Sequence, residues 1–300
     1  MGEPRAGTGG RWLRFTAAGV VLLALAGYLV VQYVSTGGGA PRCVVRGGEG
    51  REPYELEPEM ARNAATIAAV ARARSLPDRA VTIGLATAMQ ESSLRNIDYG
   101  DRDSLGLFQQ RPSMGWGAPD EIMDPVYSAG KFYEGLVEVP DYTELPLTVA
   151  AQEVQRSGFP DAYAKHEPTA ALLTEALTGQ AAASLSCTGI AMTRAGDAGE
   201  VRRKLAREFG ADALAPADVG GGRSVPAERV VLPVGQDERR GWELAHWAVA
   251  NASELGIAEV AYADREWDVA ASGDGWRAAE GAGRAEVRIT LAPKDTAAAG

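Results

Sequence analysis

The sequence is poor in the residues from which metal sites and catalytic dyads are usually built. Its 300 residues contain two histidines, His166 and His246, and two cysteines, Cys43 and Cys187. Zinc needs three or four nitrogen, sulfur or oxygen ligands in a defined geometry, and a catalytic thiol needs a nearby base. So few histidines argue against a histidine-based zinc site, and we predict no metal and no cofactor.

Positive charge is also scarce. Lysine occurs four times, and 30 basic residues face 40 acidic ones, which gives a formal net charge of −10. A surface that binds nucleic acid needs a basic stripe to displace counterions from phosphates, so we predict that nucleic acid is not a partner. With 46% hydrophobic and 23% charged residues, the composition is that of a folded protein, and we expect two folded units.

Charged residues are missing from one long stretch, 15–34, FTAAGVVLLALAGYLVVQYV. About 20 residues of helix span a bilayer core of about 30 Å, so we predict a transmembrane helix over 15–34. Arginines precede it, so the positive-inside rule predicts a cytoplasmic tail over 1–14 and a single-pass membrane protein whose main domains are extracytoplasmic. The alternative is a signal peptide cleaved at ALAG, 24–27, but that site would interrupt the apolar run.

The two cysteines flank the next part of the chain. Outside the cytoplasm an even pair of cysteines usually forms a disulfide, and closing so long a loop removes much unfolded-state entropy. We therefore predict a Cys43–Cys187 disulfide. The alternative, a nucleophilic thiol, is disfavoured because only two histidines are present to act as its base.

Between the cysteines the apolar residues recur with helical spacing. They predict helices at 57–74, from Asp78 past Glu91, at 124–138, at 146–156 and at 160–178, without a convincing strand. We expect Asp78 to cap the second helix. Glu91 lies in the last turn of that helix, near the negative pole of the helix dipole. This position disfavours ionisation and suits a carboxyl that acts as a general acid.

Three blocks of sequence in this region resemble a known family. They are QESSL followed by SLGLFQQRP (90–94 and 104–112), MDPVYSA (123–129) and EVQRSGFPDAYAKHE (153–167). They resemble the signatures of soluble lytic transglycosylase-like domains of the lysozyme-like superfamily, in actinobacterial membrane-anchored wall proteins. The resemblance implies a mainly α lysozyme-like domain, which we place at 53–188 after a linker at 35–52.

The resemblance also implies a reaction on peptidoglycan glycan strands. Glu91 would protonate the glycosidic oxygen between N-acetylmuramic acid and N-acetylglucosamine, and would then help the muramyl 6-hydroxyl attack its own anomeric carbon to give a 1,6-anhydro product. Hydrolysis with two carboxylates would need a second acid across the bond. Asp101 and Asp103 are the candidates for that role, although both suit turn positions in YGDRDS.

Other residues of the motifs are candidates for contacts with the glycan. Gln109 matches the Gln of the family's GLxQ motif and is expected to bind a sugar acetamido or hydroxyl group. Ser104 and Gln110 are its neighbours in the same block. Arg111 suits either a substrate carboxylate or a local ion pair, and Ser92 either supports Glu91 or terminates the helix.

The aromatic residues leave two interpretations open. Tyr99, Trp116 and Tyr163 offer flat apolar surfaces to pyranose rings, yet each could be ordinary core or rim. We expect Tyr163 to be the best of the three because it lies in the AYAK block. His166 has no companion for a metal site or triad, so we assign it a structural role.

The composition changes after Cys187. Residues 189–227 predict a charged helix at 198–209 and then a Gly-, Pro- and Ala-rich linker. Alternating strand, helix and strand patterns predict a small α/β domain at 228–293, before a tail at 294–300. The predicted fold class is therefore multi-domain: a transmembrane helix, a mainly α lysozyme-like domain and a small α/β domain.

The last domain resembles a C-terminal module of actinobacterial secreted wall proteins, itself similar to zinc D,D-peptidase-like folds. The resemblance rests on Gly241-Trp242, ELGIAEVAY (254–262) and GWR (275–277). Members that keep the metal site have a final strand like DHVHV, whereas this chain reads AEVRI at 285–289. The resemblance therefore implies a degenerate, non-catalytic module that positions substrate or binds a partner.

Two classes of function follow from the sequence. The first is a membrane-anchored enzyme that cleaves peptidoglycan. The second is a wall-binding or scaffold protein whose lysozyme-like domain holds glycan without cutting it. Glu91 favours the first, because a binder has no need of a carboxylic acid in that motif. Protein partners are not indicated by any motif.

Overall fold

A computed structural model describes residues 19, 21–29, 39–211 and 228–293. The chain divides into two compact units, Met1–Ala40 and Pro41–Gly300. In the first unit residues 21–29 are helical. Among the described residues, no helix has both the length and the apolar character to cross a membrane. Half of the predicted span 15–34, the tail 1–14, the end of the linker before 228 and the tail 294–300 lie outside the described residues.

The second unit begins with a three-stranded antiparallel sheet. Its strands are β1 (Arg42–Val45), β2 (Tyr54–Leu56) and β3 (Leu185–Thr188), in the order β2-β1-β3. Strand β1 lies within the segment predicted as a linker, because both of its edges find partner strands. Cys43 and Cys187 face each other in the β1–β3 register and form the predicted disulfide, which leaves no free cysteine in the described chain. A disulfide that closes so long a loop contributes roughly 2–5 kcal/mol.

Helices fill the space between β2 and β3. They are α1 (Pro58–Ala73), α2 (Asp78–Ser92), α3 (Pro119–Ile122), α4 (Pro125–Val137), α5 (Leu147–Gln155) and α6 (Glu167–Leu177), with 3-10 turns at Pro112–Met114 and Ala164–His166. The many alanines of α1 and the glycine of α2 allow close packing. A Cβ added to Gly84 would lie 2.6 Å from the hydroxyl of Tyr133 on α4.

One predicted helix start and one predicted helix cap are wrong. The helix expected at 160–178 begins at Glu167, since Pro160 precedes a turn and Pro168 occupies the first turn, where a proline is tolerated. Asp78 does not cap α2. Pro77 occupies the N-cap position, and the carboxylate of Asp78 instead pairs with Arg239 at 3.0 Å.

The C-terminal part combines helices with a second sheet. Helix α7 (Ala198–Phe209) comes first, and β4 (Arg229–Pro233), α8 (Glu238–Ala250) and α9 (Ala252–Leu255) follow the gap. The remaining strands are β5 (Ile257–Tyr262), β6 (Arg265–Asp268), β7 (Arg277–Ala278) and β8 (Glu286–Leu291), with a 3-10 segment at Val269–Asp274. The antiparallel order is β4-β8-β5-β6-β7. The unit is thus a mixed helical domain joined to a small C-terminal sheet domain.

The helical domain and the sheet domain share one buried core. Helix α8 packs against α1, α6 and β3. The indole nitrogen of Trp267 donates to the carbonyl of Cys187 at 3.0 Å, and that of Trp276 donates to the carbonyl of Leu185 at 2.8 Å. Strand β3 therefore carries the disulfide and also accepts two hydrogen bonds from tryptophans of the sheet domain. These bonds add to the helix packing that joins the two domains.

Candidate functional site

A cleft of about 1160 Å³ lies beside the end of α2. Besides Glu91, two stretches of chain line it, which we call the loop segment (101–116) and the helical segment (135–159). Ligand sites in proteins are usually concavities of this scale with a few polar groups among apolar ones. Of the predicted site residues, six line the cleft: Glu91, Asp101, Ser104, Gln109, Gln110 and Arg111.

Glu91 is half-buried in the last turn of α2. The helix ends directly after it, because Ser93 and Leu94 both adopt left-handed backbone angles (φ 55° and 60°). Burial raises the pKa of the Glu91 carboxyl, and hydrogen bonds from Tyr163 and Gln155 oppose the rise. The sequence predicted the direction of this pKa shift from the helix dipole, whereas desolvation is its main cause in the structure.

Tyr163 does not offer its ring to solvent. Its side chain is fully buried, with 0% of its surface exposed, and its hydroxyl donates to Oε1 of Glu91 at 2.7 Å. Burial and the carboxylate together raise the pKa of the tyrosine, so the phenol stays protonated and donates at neutral pH. Tyr163 is therefore a hydrogen-bond partner of Glu91 and not a surface for a sugar ring.

Hydrogen bonds hold the chain after Glu91 against the helices. The hydroxyl of Ser92 donates to the carbonyls of Ala88 and Leu107, at 3.2 and 2.8 Å. Leu105 and Gln110 form an isolated antiparallel bridge. The buried carboxamide of Gln110 donates to the carbonyl of Ser128 on α4 at 3.0 Å. Ser92 and Gln110 thus fix the position of the loop segment relative to Glu91.

Gln109 lies at a tight turn of the loop segment. It has a left-handed backbone (φ 48°), and its side-chain nitrogen donates to the carbonyls of Tyr99 and Gly106, at 3.2 and 3.3 Å. A Cβ on Gly100 would lie 1.9 Å from Gln109 Oε1 and 2.8 Å from the carbonyl oxygen of Ser104, so a larger residue there would displace the Gln109 side chain. Tyr99 is exposed but is not among the residues that line the cleft, whereas Ser104 and Trp116 are.

The two aspartates predicted as possible second carboxylates have different surroundings. Asp103 accepts hydrogen bonds from Nε of Arg111 at 2.8 Å and from the backbone and hydroxyl of Ser113 at 2.8 and 3.0 Å. These donors hold the pKa of Asp103 well below its usual range. Asp103 and Arg111 therefore stabilise the turn. Asp101 has a 92% exposed side chain, 3.9 Å from Arg102, and lines the cleft.

Sequence reasoning missed the helical segment of the cleft. Gln155 ends α5 and donates to the carbonyl of Phe108 at 2.8 Å, beside Glu91. Glu138 and Glu153 add carboxylates to the lining, and Phe159 adds an exposed ring. A signal was present, since three of these four residues fall in the block EVQRSGFP, which identified the family resemblance.

The histidines have structural partners. Nε2 of His166 lies 3.1 Å from Oε1 of Gln90. His246 is fully buried in α8, with Nδ1 2.8 Å from the carbonyl of Ala176 and Nε2 3.2 Å from the backbone nitrogen of Ser184. A backbone carbonyl accepts and a backbone nitrogen donates, so the ring is neutral with its proton on Nδ1. Burial lowers the pKa of His246 to about 4.

Three carboxylates of the sheet domain lie close together. One carboxylate oxygen from each of Glu259, Glu266 and Asp268 lies within 4.8 Å of the other two. Burial and the neighbouring charges of Glu266 and Asp268 raise the pKa of Glu259. Exposed acidic groups of this kind are common without an ion, so this cluster is not assigned a function.

Comparison with known proteins bears on the sheet domain. Residues 222–289 match a protein family described as VldE, C-terminal domain. This match covers less than half of the chain and does not include the cleft. Comparison with curated proteins found no match.

Proposed function

We propose that this protein is a peptidoglycan-cleaving enzyme, a lytic transglycosylase that acts on the bond between N-acetylmuramic acid and N-acetylglucosamine with Glu91 as its acid. One observation carries the proposal. Glu91 lies in a large cleft, its pKa is raised by burial, and a buried phenol holds its carboxyl in place. A raised pKa increases the protonated fraction of the carboxyl at a given pH, and the protonated carboxyl can deliver its proton to a leaving oxygen.

The same surroundings support the second step of the reaction. After Glu91 gives up its proton, the carboxylate can accept the proton of the muramyl 6-hydroxyl as that oxygen attacks the anomeric carbon. The glycosidic bond to the departing sugar breaks, and the anhydro ring forms without water. Tyr163 and Gln155 donate to the carboxylate form, so they stabilise Glu91 in the state that it occupies between the two proton transfers.

A two-carboxylate hydrolysis is the nearest alternative chemistry. It needs a second carboxylate across the scissile bond. Asp103 is a poor source because its oxygens already accept three hydrogen bonds. Asp101 lines the cleft and has only a long contact to Arg102, so it remains the candidate that would favour hydrolysis.

We also propose that the protein works outside the cytoplasm, anchored by the apolar stretch 15–34. The disulfide supports an oxidising compartment, and peptidoglycan lies there too. The sheet domain is proposed to be non-catalytic, since the one histidine that it contains has both ring nitrogens engaged by backbone groups.

A wall-binding protein that does not cut glycan is the second candidate function. The exposed apolar residues of the cleft suit binding as well as catalysis. Binding alone does not explain why a carboxyl is desolvated beside a phenol, because burial of an acid without a cationic partner costs free energy. This cost favours the enzyme.

The test is to incubate the full-length protein with purified peptidoglycan and to identify the fragments by mass spectrometry. We expect 1,6-anhydro ends, and we expect Glu91→Gln to release them about 10²–10⁴-fold more slowly. Glu144→Gln is a matched control, since Glu144 is exposed and is not among the residues lining the cleft. Reducing ends without anhydro ends would show that the enzyme is a hydrolase and not a transglycosylase. Bound but intact glycan would favour the binder, and normal cutting by Glu91→Gln would refute the role of Glu91.

A further inference from the structure

Exposed apolar side chains of the second unit concentrate at the cleft. Within its described residues the large ones are Tyr99, Met114, Val137, Val149 and Phe159. Three of these five, Met114, Val149 and Phe159, line the cleft. Phe159 is the most exposed, at 76%. An aromatic ring left in water at the edge of a concavity is typical of a surface that a ligand covers.

Hydrogen bonds hold the backbone that presents Phe159. Its own nitrogen donates to the hydroxyl of Ser157 at 3.1 Å, and its carbonyl accepts from the nitrogen of Ala162 at 3.1 Å. The hydroxyl of Thr148 on α5 donates to the carbonyl of Pro160. The ring is therefore presented by an anchored turn, and an anchored backbone loses less entropy when the turn binds a ligand.

The cleft has both polar and apolar linings. The loop segment contributes mostly polar groups, namely Asp101, Arg102, Ser104, Gln109, Gln110 and Arg111, with Met114 and Trp116 beside them. The helical segment contributes apolar side chains, Val139, Pro140, Leu145, Val149, Val154 and Phe159, together with the polar Glu138, Glu153, Gln155, Arg156 and Ser157. A pyranose ring likewise combines polar and apolar surface, since its hydroxyl and amide groups point outward from its edge and its C–H bonds form an apolar face. The polar lining of the cleft thus suits the edge of a sugar ring, and the apolar lining suits its C–H face.

From this arrangement we infer that Phe159 is a glycan-binding residue of the cleft, on which the C–H face of an N-acetylated pyranose packs. The inference rests on the proposed function, because it needs a saccharide in the cleft. Phe159 contributes affinity for the strand and takes no part in proton transfer, which belongs to Glu91 and its hydrogen-bond partners.

The test measures binding separately from cutting. In the full-length Glu91→Gln protein, calorimetry with a soluble oligosaccharide of alternating N-acetylglucosamine and N-acetylmuramic acid gives the dissociation constant. In sites for single-stranded nucleic acid, removing an aromatic side chain on which a base stacks weakens binding by about tenfold. We expect Phe159→Ala to bind about tenfold more weakly and Phe159→Trp to bind as well as the parent.

Val137→Ala serves as the matched control, since Val137 is an exposed apolar residue that is not among those lining the cleft; it should bind as the parent does. Unchanged binding by Phe159→Ala, or an equal loss in both alanine variants, would overturn the inference without affecting the role of Glu91. A parent that does not bind the oligosaccharide would overturn both the inference and the proposed substrate. Equal thermal unfolding of all variants shows that the comparison is made on folded protein.

Discussion

Two glutamates of the second unit, Glu91 and Glu208, are removed from solvent but differ in their partners. In the cleft, Glu91 accepts from the neutral phenol of Tyr163, and no cation among the described residues pairs with it. Between the two domains, Glu208 on α7 is 2% exposed and accepts from the indole of Trp247 at 2.6 Å and the hydroxyl of Thr66 at 3.0 Å. Lys204 pairs with it at 3.2 Å.

The presence or absence of a cationic partner distinguishes a glutamate suited to proton transfer, Glu91, from a glutamate that stabilises the fold, Glu208. A buried carboxylate with a cation and several donors is compensated, and removing it leaves those donors unpaired. A buried carboxylate without a cation is destabilised as an anion, so its pKa rises and it can carry a proton. Four predictions test this contrast, from the largest expected effect to the smallest.

The first prediction concerns the rate of cutting. Replacing Glu91 by Gln removes the transferable proton but keeps the shape of the side chain, so the rate of release of soluble fragments should fall by about 10²–10⁴-fold. The free energy of unfolding at neutral pH should stay equal or rise, because an uncompensated buried acid is removed. Turnover of labelled peptidoglycan and chemical denaturation measure the two quantities. A variant that is both inactive and much less stable would place Glu91 among structural residues.

The second prediction concerns stability at the contact between the domains. Glu208→Ala should lower the free energy of unfolding by about 3–5 kcal/mol, because the buried indole of Trp247 loses its acceptor and Lys204 and Thr66 each lose one of two partners. Its matched control is Glu200→Ala on the same helix, whose carboxylate pairs with Arg194 near the surface and should cost about 0–1 kcal/mol. Denaturant titration compares them. Equal costs for the two variants would remove the distinction between a compensated interior charge and a surface charge.

The third prediction concerns pH and His246, which also lies between the domains. Its pKa is about 4 in the folded protein and 6.5 when unperturbed, so the unfolded chain binds the proton more tightly. The stabilisation is complete above pH 6.5, falls as the pH drops toward 4 and is lost below. It amounts to about 3 kcal/mol.

The comparison for this prediction is His246→Gln, which can still donate and accept hydrogen bonds but does not titrate. The difference in unfolding free energy between the wild type and this variant should shrink on acidification from pH 7 to pH 4. Carboxylates elsewhere titrate equally in both proteins and cancel. Parallel stability curves would show that the histidine does not titrate as its burial requires.

Much of the fold could be predicted from local patterns. The periodic apolar residues predicted α1, α4, α5 and α7 to within about two residues, since amphipathic period and capping are local properties. The pairing of β1 with β3 could not be predicted in this way, because the two strands are short and far apart in sequence. The disulfide between them was predicted because the chain offers only one pair of cysteines.

The candidate site was predictable in part. Glu91 and the loop segment stand together in one motif, so the sequence placed them in one site. The contact between Tyr163 and Glu91 joins residues 72 positions apart. The sequence does not indicate which residue a tyrosine hydroxyl will reach, so this hydrogen bond could not be predicted. Phe159 was missed because exposure of a ring depends on the turn that carries it.

The last and smallest prediction concerns Gln155. Its side-chain nitrogen donates to the carbonyl of Phe108 and lowers the pKa of Glu91, so Gln155→Leu removes one donor from the carboxylate and should raise the pKa of Glu91 further. Glu91 must be protonated to act as an acid, so the fall of kcat/KM at high pH should move to higher pH. Gln152→Leu is the matched control, because Gln152 is on the same helix and donates to the carbonyl of Ser157 at 2.8 Å, but does not line the cleft. If both variants shift the pH profile equally, the effect comes from α5 as a whole; if neither does, burial and Tyr163 alone set the proton affinity of Glu91.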